Sequence, residues 1–410
     1  MKKYLLPLPL LLLINPLISL LYSLFVFIKR ESDISLFFSL SLALILIYFP
    51  LMYDTSNHFY YTFYNKTINL DNFEVNIFFN SYGTLPIILG KIFNIDYYYF
   101  FYLYTAISLY FWSKIVYHAK TTNVTVYNVT FIPLLILLLS FNYRDLIDLN
   151  RTFLSYSIVF YFILCKKNKN IYNFSLFFYF SLTVHLTVGA IWMIYFISRS
   201  KLLTKKFYYL LFFTCIIFGF IMPYLMSLFQ NVISLIPGEL GARLYYYSYG
   251  SDFAIREQSV GPILKKSLSY VIVILFCFHI IHLLKTNNNL LLRFTLLLSC
   301  ITLLFFQYVT FFERLNLALT FLYSFILISY FRQGSTSKLI LVSLLLLRTI
   351  ILYALVYFPI FLGNHNVVIP NSDFLIETEL KPFYYPTLLL INIENGYSDE
   401  NISRQSVWGK

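Results

Sequence analysis

Runs of apolar residues, each long enough to cross a lipid bilayer, recur along almost the whole chain. An α-helix rises about 1.5 Å per residue, so crossing about 30 Å of hydrocarbon takes roughly 20 residues. Such runs lie at 4–28, 34–52, 97–115, 124–141, 207–229, 268–284, 290–308, 311–331 and 339–362, and a shorter one follows Arg151 and ends at Cys165. Since only 12% of the 410 residues are charged, the sequence excludes an ordinary soluble domain and predicts an all-α polytopic membrane protein.

The cysteines and the first residues carry no signal for a metal site, a disulfide or a cleaved leader. Cys165, Cys215, Cys277 and Cys300 lie inside apolar runs without a CxxC pair or a histidine at ligand spacing. They are therefore interpreted as packing residues, with no metal and no cofactor expected. The basic and apolar start of the chain lacks a small-x-small cleavage site, and we interpret residues 4–28 as a retained first helix.

The basic residues between the apolar runs predict which loops face the cytoplasm, because Lys and Arg concentrate in short cytoplasmic loops. The basic loops contain Lys29 and Arg30; Lys114 and Lys120; Lys166, Lys167 and Lys169; Arg199, Lys201, Lys205 and Lys206; Lys285; and Arg332 and Lys338. With these loops inside, the chain crosses about twelve times with both termini outside. The net charge of +12 then reports topology and not a nucleic-acid-binding surface. The alternative keeps Lys2 and Lys3 inside by making the proline-broken first segment a hairpin.

The interval 170–198 is too short for the two crossings that this topology demands. It lies between two strongly basic loops, so it crosses an even number of times, yet its 29 residues fit only one ordinary span. A hairpin of two half-length helices with His185 near its apex fits better, since broken helices are tolerated where they line a buried or wet cavity. The alternative is a single long span with one basic loop assigned to the wrong side.

Beyond the spans, the sequence predicts a single transmembrane domain over 1–410 with large external segments. The loop 53–96 includes the amphipathic piece SYGTLPIILGKIF, which we expect at or in the membrane interface. The other external segments are the loop 230–267 and the polar tail 363–410. No internal repeat, soluble domain or glycine-rich nucleotide loop is evident in the sequence.

Charged residues near the bilayer are costly, and in this topology they gather on the external side. On a helix, Arg144, Asp148 and Arg151 fall at i, i+4 and i+7, which places an acid between two guanidiniums on one face. This array suits a phosphate or pyrophosphate, and its alternative interpretation is a surface salt-bridge ladder. Asp54 and His58, at i and i+4, suit a general base with a tuning partner, or else a capped helix end.

The remaining candidates are isolated cations, a lone histidine and a tyrosine run. Arg314 begins a span with only Glu313 beside it, and Arg348 lies mid-span, where it must meet an anion or carbonyls across the bundle. The run Tyr245–Tyr247 offers ring faces of the kind that stack on sugars. The lone histidine, His185, is either a base or a structural residue. The other members of this set are Arg243, Arg256 and, within the tyrosine run, Tyr246.

The order of these motifs resembles the EpsG and Wzy-like polysaccharide polymerases. The matching segments are YDTSNHFYYTFY, NRTFLSYSIVFYFI, FSLTVHLTVGAIW and FFERLNLAL, which cover most of the chain in order. The resemblance implies a bacterial inner-membrane glycosyltransferase, similar to GT-C-like membrane enzymes. It would join repeat units carried on undecaprenyl pyrophosphate into O-antigen, capsule or exopolysaccharide. It also implies a chain-length regulator protein as a partner, and no nucleic acid.

The resemblance carries roles to Asp54, Arg151, His185 and Arg314, and the chemistry that it implies extends roles to further residues. The residues assigned to pyrophosphate binding are Arg151, Arg243, Arg314 and, as a weaker fourth, Arg256. The base is Asp54 or His185, and the supporting residues are His58, Arg144, Asp148 and Tyr246. Two rival functions use the same substrate, namely a flippase or exporter and a single-addition glycosyltransferase or ligase. An exporter is expected to spread its charges through many spans, whereas here they cluster at one end, which favours an enzyme.

Overall fold

Every regular element that the structure describes is an α-helix. The computed structural model describes residues 6–29, 33–48, 81–93, 95, 97–122, 146, 149–166, 170–200, 205–235, 245, 249, 260–286, 289–329, 335–352 and 381–391. Within these ranges the helices are α1 Pro7–Ile14, α2 Pro16–Lys29, α3 Ser35–Leu46, α4 Ser81–Phe93, α5 Tyr97–Thr122, α6 Asn150–Cys165, α7 Ile171–Val184, α8 Val188–Arg199, α9 Lys205–Ser234, α10 Val260–Thr286, α11 Leu290–Leu304, α12 Val309–Ser329, α13 Ser335–Leu352 and α14 Thr387–Ile391. No strand occurs among the described residues, in agreement with the predicted all-α class.

The apolar helices expose surfaces that suit lipid and not water. Lys206–Gln230 within α9 and Lys266–Lys285 within α10 are long and apolar enough to cross a membrane. Only 17% of the most apolar window of α9 is buried, so most of its large apolar side chains face outward. Contiguous apolar surface of this extent is rare on soluble proteins, which indicates a membrane-embedded chain. Shorter apolar helices of 10–17 residues in the described ranges include Ser35–Leu46, Ile171–Val184 and Leu290–Leu304. The predicted span 124–141 lies outside the described ranges.

The chain divides into two compact units. Unit 1 comprises Met1–Gly189 and Tyr353–Lys410, and unit 2 comprises Ala190–Leu352. In unit 1, α5 packs between α3 and α6, while α2 covers α3, α7 covers α6, and α4 contacts both α5 and α7. In unit 2, α11 is central and packs against α9, α10 and α12, and α10 also contacts α13.

The first apolar run is broken into α1 and α2 at Asn15. Pro16 begins α2, and the Asn15 side chain caps that helix by accepting the N–H groups of Leu17 at 2.8 Å and Ile18 at 3.2 Å. The same side chain donates from Nδ2 to the carbonyl of Tyr385 at 2.8 Å. The buried side chain of Asn15 therefore pairs with free N–H groups at the start of α2 and also holds the segment around Tyr385, which lies far away in sequence.

Part of the C-terminal tail docks on unit 1. The Thr387 hydroxyl donates to the Leu12 carbonyl, and the Tyr48 hydroxyl donates to the Leu390 carbonyl. The Tyr99 hydroxyl donates to the Ile391 carbonyl at 3.1 Å. The Tyr48 and Tyr99 hydroxyls thus satisfy the last two carbonyls of α14, which have no partners within such a short helix. Residues 381–391 are thus an integral part of unit 1, although the tail 363–410 reads as polar overall.

A salt bridge links the segment before α3 to α5. The Lys114 ammonium contacts the Asp33 carboxylate, which also accepts the Ser35 N–H at 3.1 Å. Burial opposes ionisation of Asp33, but the hydrogen bonds from Lys114 and Ser35 outweigh it and lower the pKa of the carboxyl below its ordinary 3.8. The pair holds the start of α3 and this part of α5 at one end of unit 1, as expected if both neighbouring basic loops face the cytoplasm.

Asp33→Asn is expected to lower the free energy of unfolding at neutral pH by about 0.5–1 kcal/mol, because the pair is partly exposed. A carboxyl whose pKa falls on folding stabilises the fold above its unfolded pKa, and this contribution is lost as the pH falls through the folded value. Thermal unfolding of the purified protein should therefore distinguish the two proteins at pH 7, and the difference should vanish as the pH falls below the folded pKa of Asp33. A double-mutant cycle with Lys114→Met should show coupling, and strictly additive losses would contradict the ion pair.

Candidate functional site

Arg151 lies in the first turn of α6 in unit 1. Its guanidinium is half-buried, and its enclosed Nε has no hydrogen-bond partner among the described residues. An unpaired guanidinium out of bulk water is costly unless an anion meets it. The peptide dipoles of α6 add partial positive charge at the same helix end. The start of α6 is therefore electrostatically suited to bind an anion.

A buried hydrogen-bond network fixes the start of α6. The Asn150 side chain donates from Nδ2 to the Thr105 hydroxyl at 2.8 Å, and its Oδ1 accepts the Tyr82 hydroxyl at 3.1 Å. The Tyr82 ring stacks on Tyr104 with centroids 4.6 Å apart, and the Tyr104 hydroxyl donates to the Tyr82 carbonyl at 3.2 Å. Because these groups belong to α4, α5 and α6, the backbone that carries Arg151 is held by both neighbouring helices.

The first residues of α4 connect the start of α6 to the end of α7. The Ser81 hydroxyl donates to the Thr183 hydroxyl at 3.1 Å, while its neighbour Tyr82 bonds to Asn150. Arg151 directly follows Asn150, and His185 follows Thr183 by two positions. The structure thus brings Arg151 and the end of α7 at His185 to the same end of α4.

His185 terminates α7 and is almost fully enclosed, at 7% exposed. Its backbone is extended, and the chain resumes as α8 at Val188. The Thr187 N–H donates to the ring Nδ1 at 3.1 Å, and the Thr187 hydroxyl lies 2.6 Å from the same nitrogen. Because Nδ1 accepts the backbone N–H, the neutral ring carries its proton on Nε2. The sequence placed the hairpin apex at this break, and the hairpin itself remains a prediction.

In unit 2, Arg314 lies in the second turn of α12 and is 9% exposed. The adjacent Glu313 interacts electrostatically with Lys266 of α10. The Lys266 ammonium donates to the Gln307 carbonyl at 3.4 Å and lies 5.5 Å from the centroid of the Phe306 ring. This end of unit 2 therefore brings two cations and a carboxylate to one turn, and Lys266 was not among the residues that the sequence pointed to.

Arg348 is buried in unit 2 and reaches across to α12. Its Nη1 donates to the Thr320 hydroxyl at 3.2 Å. The sequence predicted that Arg348 meets an anion or carbonyls across the bundle, and the contact seen here is with a hydroxyl on another helix. Its contact is therefore with the bundle interior, which fits a structural role.

Several sequence-predicted site residues lie outside the described ranges, and their roles stay predictions. They are Asp54, His58, Arg144, Asp148, Arg243, Tyr246 and Arg256. The cysteines are free thiols, and Cys215, Cys277 and Cys300 are buried. Among the described residues, no group of three or more His, Cys, Asp or Glu side chains is arranged to hold a metal ion.

The sequence did not indicate the polar groups that fix the start of α6, where Arg151 lies. The residues next to Asn150, Thr105 and Tyr82 in the sequence do not indicate that these three side chains bond to one another. The available signal was the presence of isolated Asn and Thr residues within or at the start of spans, which must find partners on other helices. That signal says that a partner exists without saying which one.

Comparison with known protein families matches residues 36–368 to the EpsG family. The match covers most of the chain, including the starts of α6 and α12 and the break at His185. No curated protein and no solved structure matches the chain.

Proposed function

The chain belongs to the EpsG family, and on that premise we propose that it joins undecaprenyl-pyrophosphate-linked oligosaccharide repeat units into O-antigen or exopolysaccharide. Membership in the family indicates a polysaccharide polymerase of the glycosyltransferase type in a membrane. The finer proposal places the reaction at the periplasmic or outer face of a bacterial inner membrane, in a chain with about twelve crossings. A chain-length regulator protein is the proposed partner.

The guanidinium of Arg151 is the observation that carries this proposal. It stands at a helix start, it is half-buried, and its Nε has no hydrogen-bond partner in the described ranges. A pyrophosphate carries at least two negative charges and offers oxygens spaced for a guanidinium fork. Arg151 is therefore proposed to bind the pyrophosphate of a lipid-linked substrate.

In the proposed reaction, a sugar hydroxyl of one lipid-linked unit attacks the anomeric carbon of the glycan on a second lipid. The new bond joins that carbon to the attacking oxygen, and the bond to the pyrophosphate oxygen breaks. The hydroxyl proton passes to a general base, and the lipid pyrophosphate leaves with the electron pair. Arg151 is proposed to stabilise the charge that develops on the leaving group, and Arg243, Arg256 and Arg314 keep their predicted role in pyrophosphate binding. The bond to pyrophosphate supplies the driving force, so the step consumes no nucleotide.

The hydrogen bond at His185 favours different roles for Asp54 and His185, the two residues proposed as the base. With the Thr187 N–H on Nδ1, the neutral imidazole presents an N–H at Nε2 and no free lone pair. We therefore propose that His185 donates a hydrogen bond to a substrate oxygen. The proton acceptor is then Asp54.

The test is elongation by purified protein in lipid vesicles, supplied with a defined oligosaccharide on undecaprenyl pyrophosphate and no nucleotide. The expected products form a ladder that grows by whole repeat units, with one lipid pyrophosphate released per new bond. Translocation of the substrate without a ladder would instead indicate an exporter. Addition of a single unit would indicate a ligase, and either result would overturn the proposal.

A further inference from the structure

Two tyrosines fold back onto the C-terminal part of α9 in unit 2. The Gln230 amide donates from Nε2 to the Tyr245 hydroxyl at 3.1 Å, and the Tyr249 hydroxyl donates to the Met226 carbonyl. The two rings lie 5.2 Å apart between centroids and are tilted by 48°. Both rings are thus held in place by α9 and by each other.

The held rings remain accessible. Tyr245 is 40% exposed, and the contact between its hydroxyl and Gln230 is itself exposed. An aromatic face beside an amide and a phenol hydroxyl offers one apolar surface and several hydrogen-bonding groups. This is the combination that a pyranose ring needs, because its C–H face packs on aromatic rings and its hydroxyls bind amides and hydroxyls.

The tyrosine pair lies at the end of unit 2 where α12 begins. Tyr249 interacts electrostatically with Tyr308. Tyr308 ends the turn between α11 and α12, and Gln307 in the same turn accepts the Lys266 ammonium. Arg314 follows six residues later, in the second turn of α12. The aromatic pair and Lys266 therefore meet at the turn that leads into α12 and Arg314.

We propose that Tyr245, Tyr249 and Gln230 form a glycan subsite that packs against a sugar ring of the lipid-linked oligosaccharide. The inference rests on the proposed function, because the sugar that reaches this surface is taken to be part of the polymerase substrate. A pyrophosphate bound near Arg314 would present its attached sugars to the same end of unit 2. The subsite contributes to substrate affinity and takes no part in the bond-breaking step.

Steady-state elongation separates this role from a structural one. Tyr245→Ala is expected to raise KM for the lipid-linked oligosaccharide about tenfold with little change in kcat, as the loss of one aromatic packing surface predicts. Tyr245→Phe keeps the ring and loses the hydroxyl, so its KM should lie between those of the wild type and Tyr245→Ala. The matched control is Tyr224→Ala, which removes a 74% exposed tyrosine from the same helix, α9, with no expected change in KM.

A binding measurement decides the inference even if elongation fails. Saturation-transfer difference NMR with protein in nanodiscs and free oligosaccharide of the same repeat unit should show equal sugar contact in the wild type and in Tyr224→Ala, and clearly weaker contact in Tyr245→Ala. Equal KM values and equal transfer for Tyr245→Ala and Tyr224→Ala would overturn the glycan subsite while leaving the polymerase intact. A wild type that binds the sugar and never elongates would overturn the polymerase and keep the subsite.

Discussion

Arg151→Ala is expected to slow glycan elongation by about 10²–10³-fold, the usual effect of removing one preorganised donor to developing negative charge. The substitution takes away the guanidinium, whereas the bonds of Asn150 to Thr105 and Tyr82 keep the start of α6 in place. Arg151→Lys retains the charge and loses the planar fork, so a smaller loss is expected. The measurement is the initial rate of ladder formation by equal amounts of purified protein.

The control for this experiment is Arg199→Ala, which removes an exposed guanidinium from the last turn of α8 and should leave elongation near the wild-type rate. Stability also distinguishes a role of Arg151 in binding pyrophosphate from a role in holding the fold together. Because the enclosed Nε of Arg151 has no partner in the described ranges, Arg151→Ala should melt at or above the wild-type temperature. A wild-type elongation rate in Arg151→Ala would remove this residue from pyrophosphate binding.

Local patterns in the sequence were sufficient for the helical class and for the family. The four motifs that resemble EpsG polymerases all lie within the matched residues 36–368, and the match confirms the family. The end of α7 at Val184 and the start of α8 at Val188 fall on either side of His185, because a polar residue and short helix-capping contacts interrupt an apolar run. Such signals extend over a few neighbouring residues and are visible in one segment.

Contacts between distant segments could not be predicted in the same way. Asn150 bonds to Tyr82 and Thr105 across separations of 68 and 45 residues, and Asn15 bonds to Tyr385 across 370. Helical spacing relates residues three or four positions apart and carries no information on which helix faces which. For the same reason, the partnership of Lys266 with the turn before Arg314 emerged only from the fold.

That turn also depends on a close approach between α9 and α11. A Cβ added at Gly219 would lie 2.5 Å from the Leu303 carbonyl oxygen and 3.3 Å from Cδ1 of Phe306. A backbone oxygen cannot rotate away as a side chain can, so the two helices would have to separate. Phe220, the next residue, packs on Phe306 with ring centroids 5.0 Å apart. The absence of a side chain at Gly219 therefore lets α9 support the turn that leads to Arg314.

Gly219→Ala is accordingly expected to destabilise the protein by about 1–3 kcal/mol, even though alanine is the better helix former by about 1 kcal/mol. Gly219→Val should cost more, with loss of elongation because the turn before Arg314 is displaced. Gly189→Ala is the matched control, since its added Cβ would meet only the end of the Leu182 side chain at 3.4 Å. Thermal unfolding of the purified variants should lower the melting temperature for Gly219→Ala and maintain or raise it for Gly189→Ala. Equal melting temperatures for the two variants would contradict the close packing of α9 on Leu303.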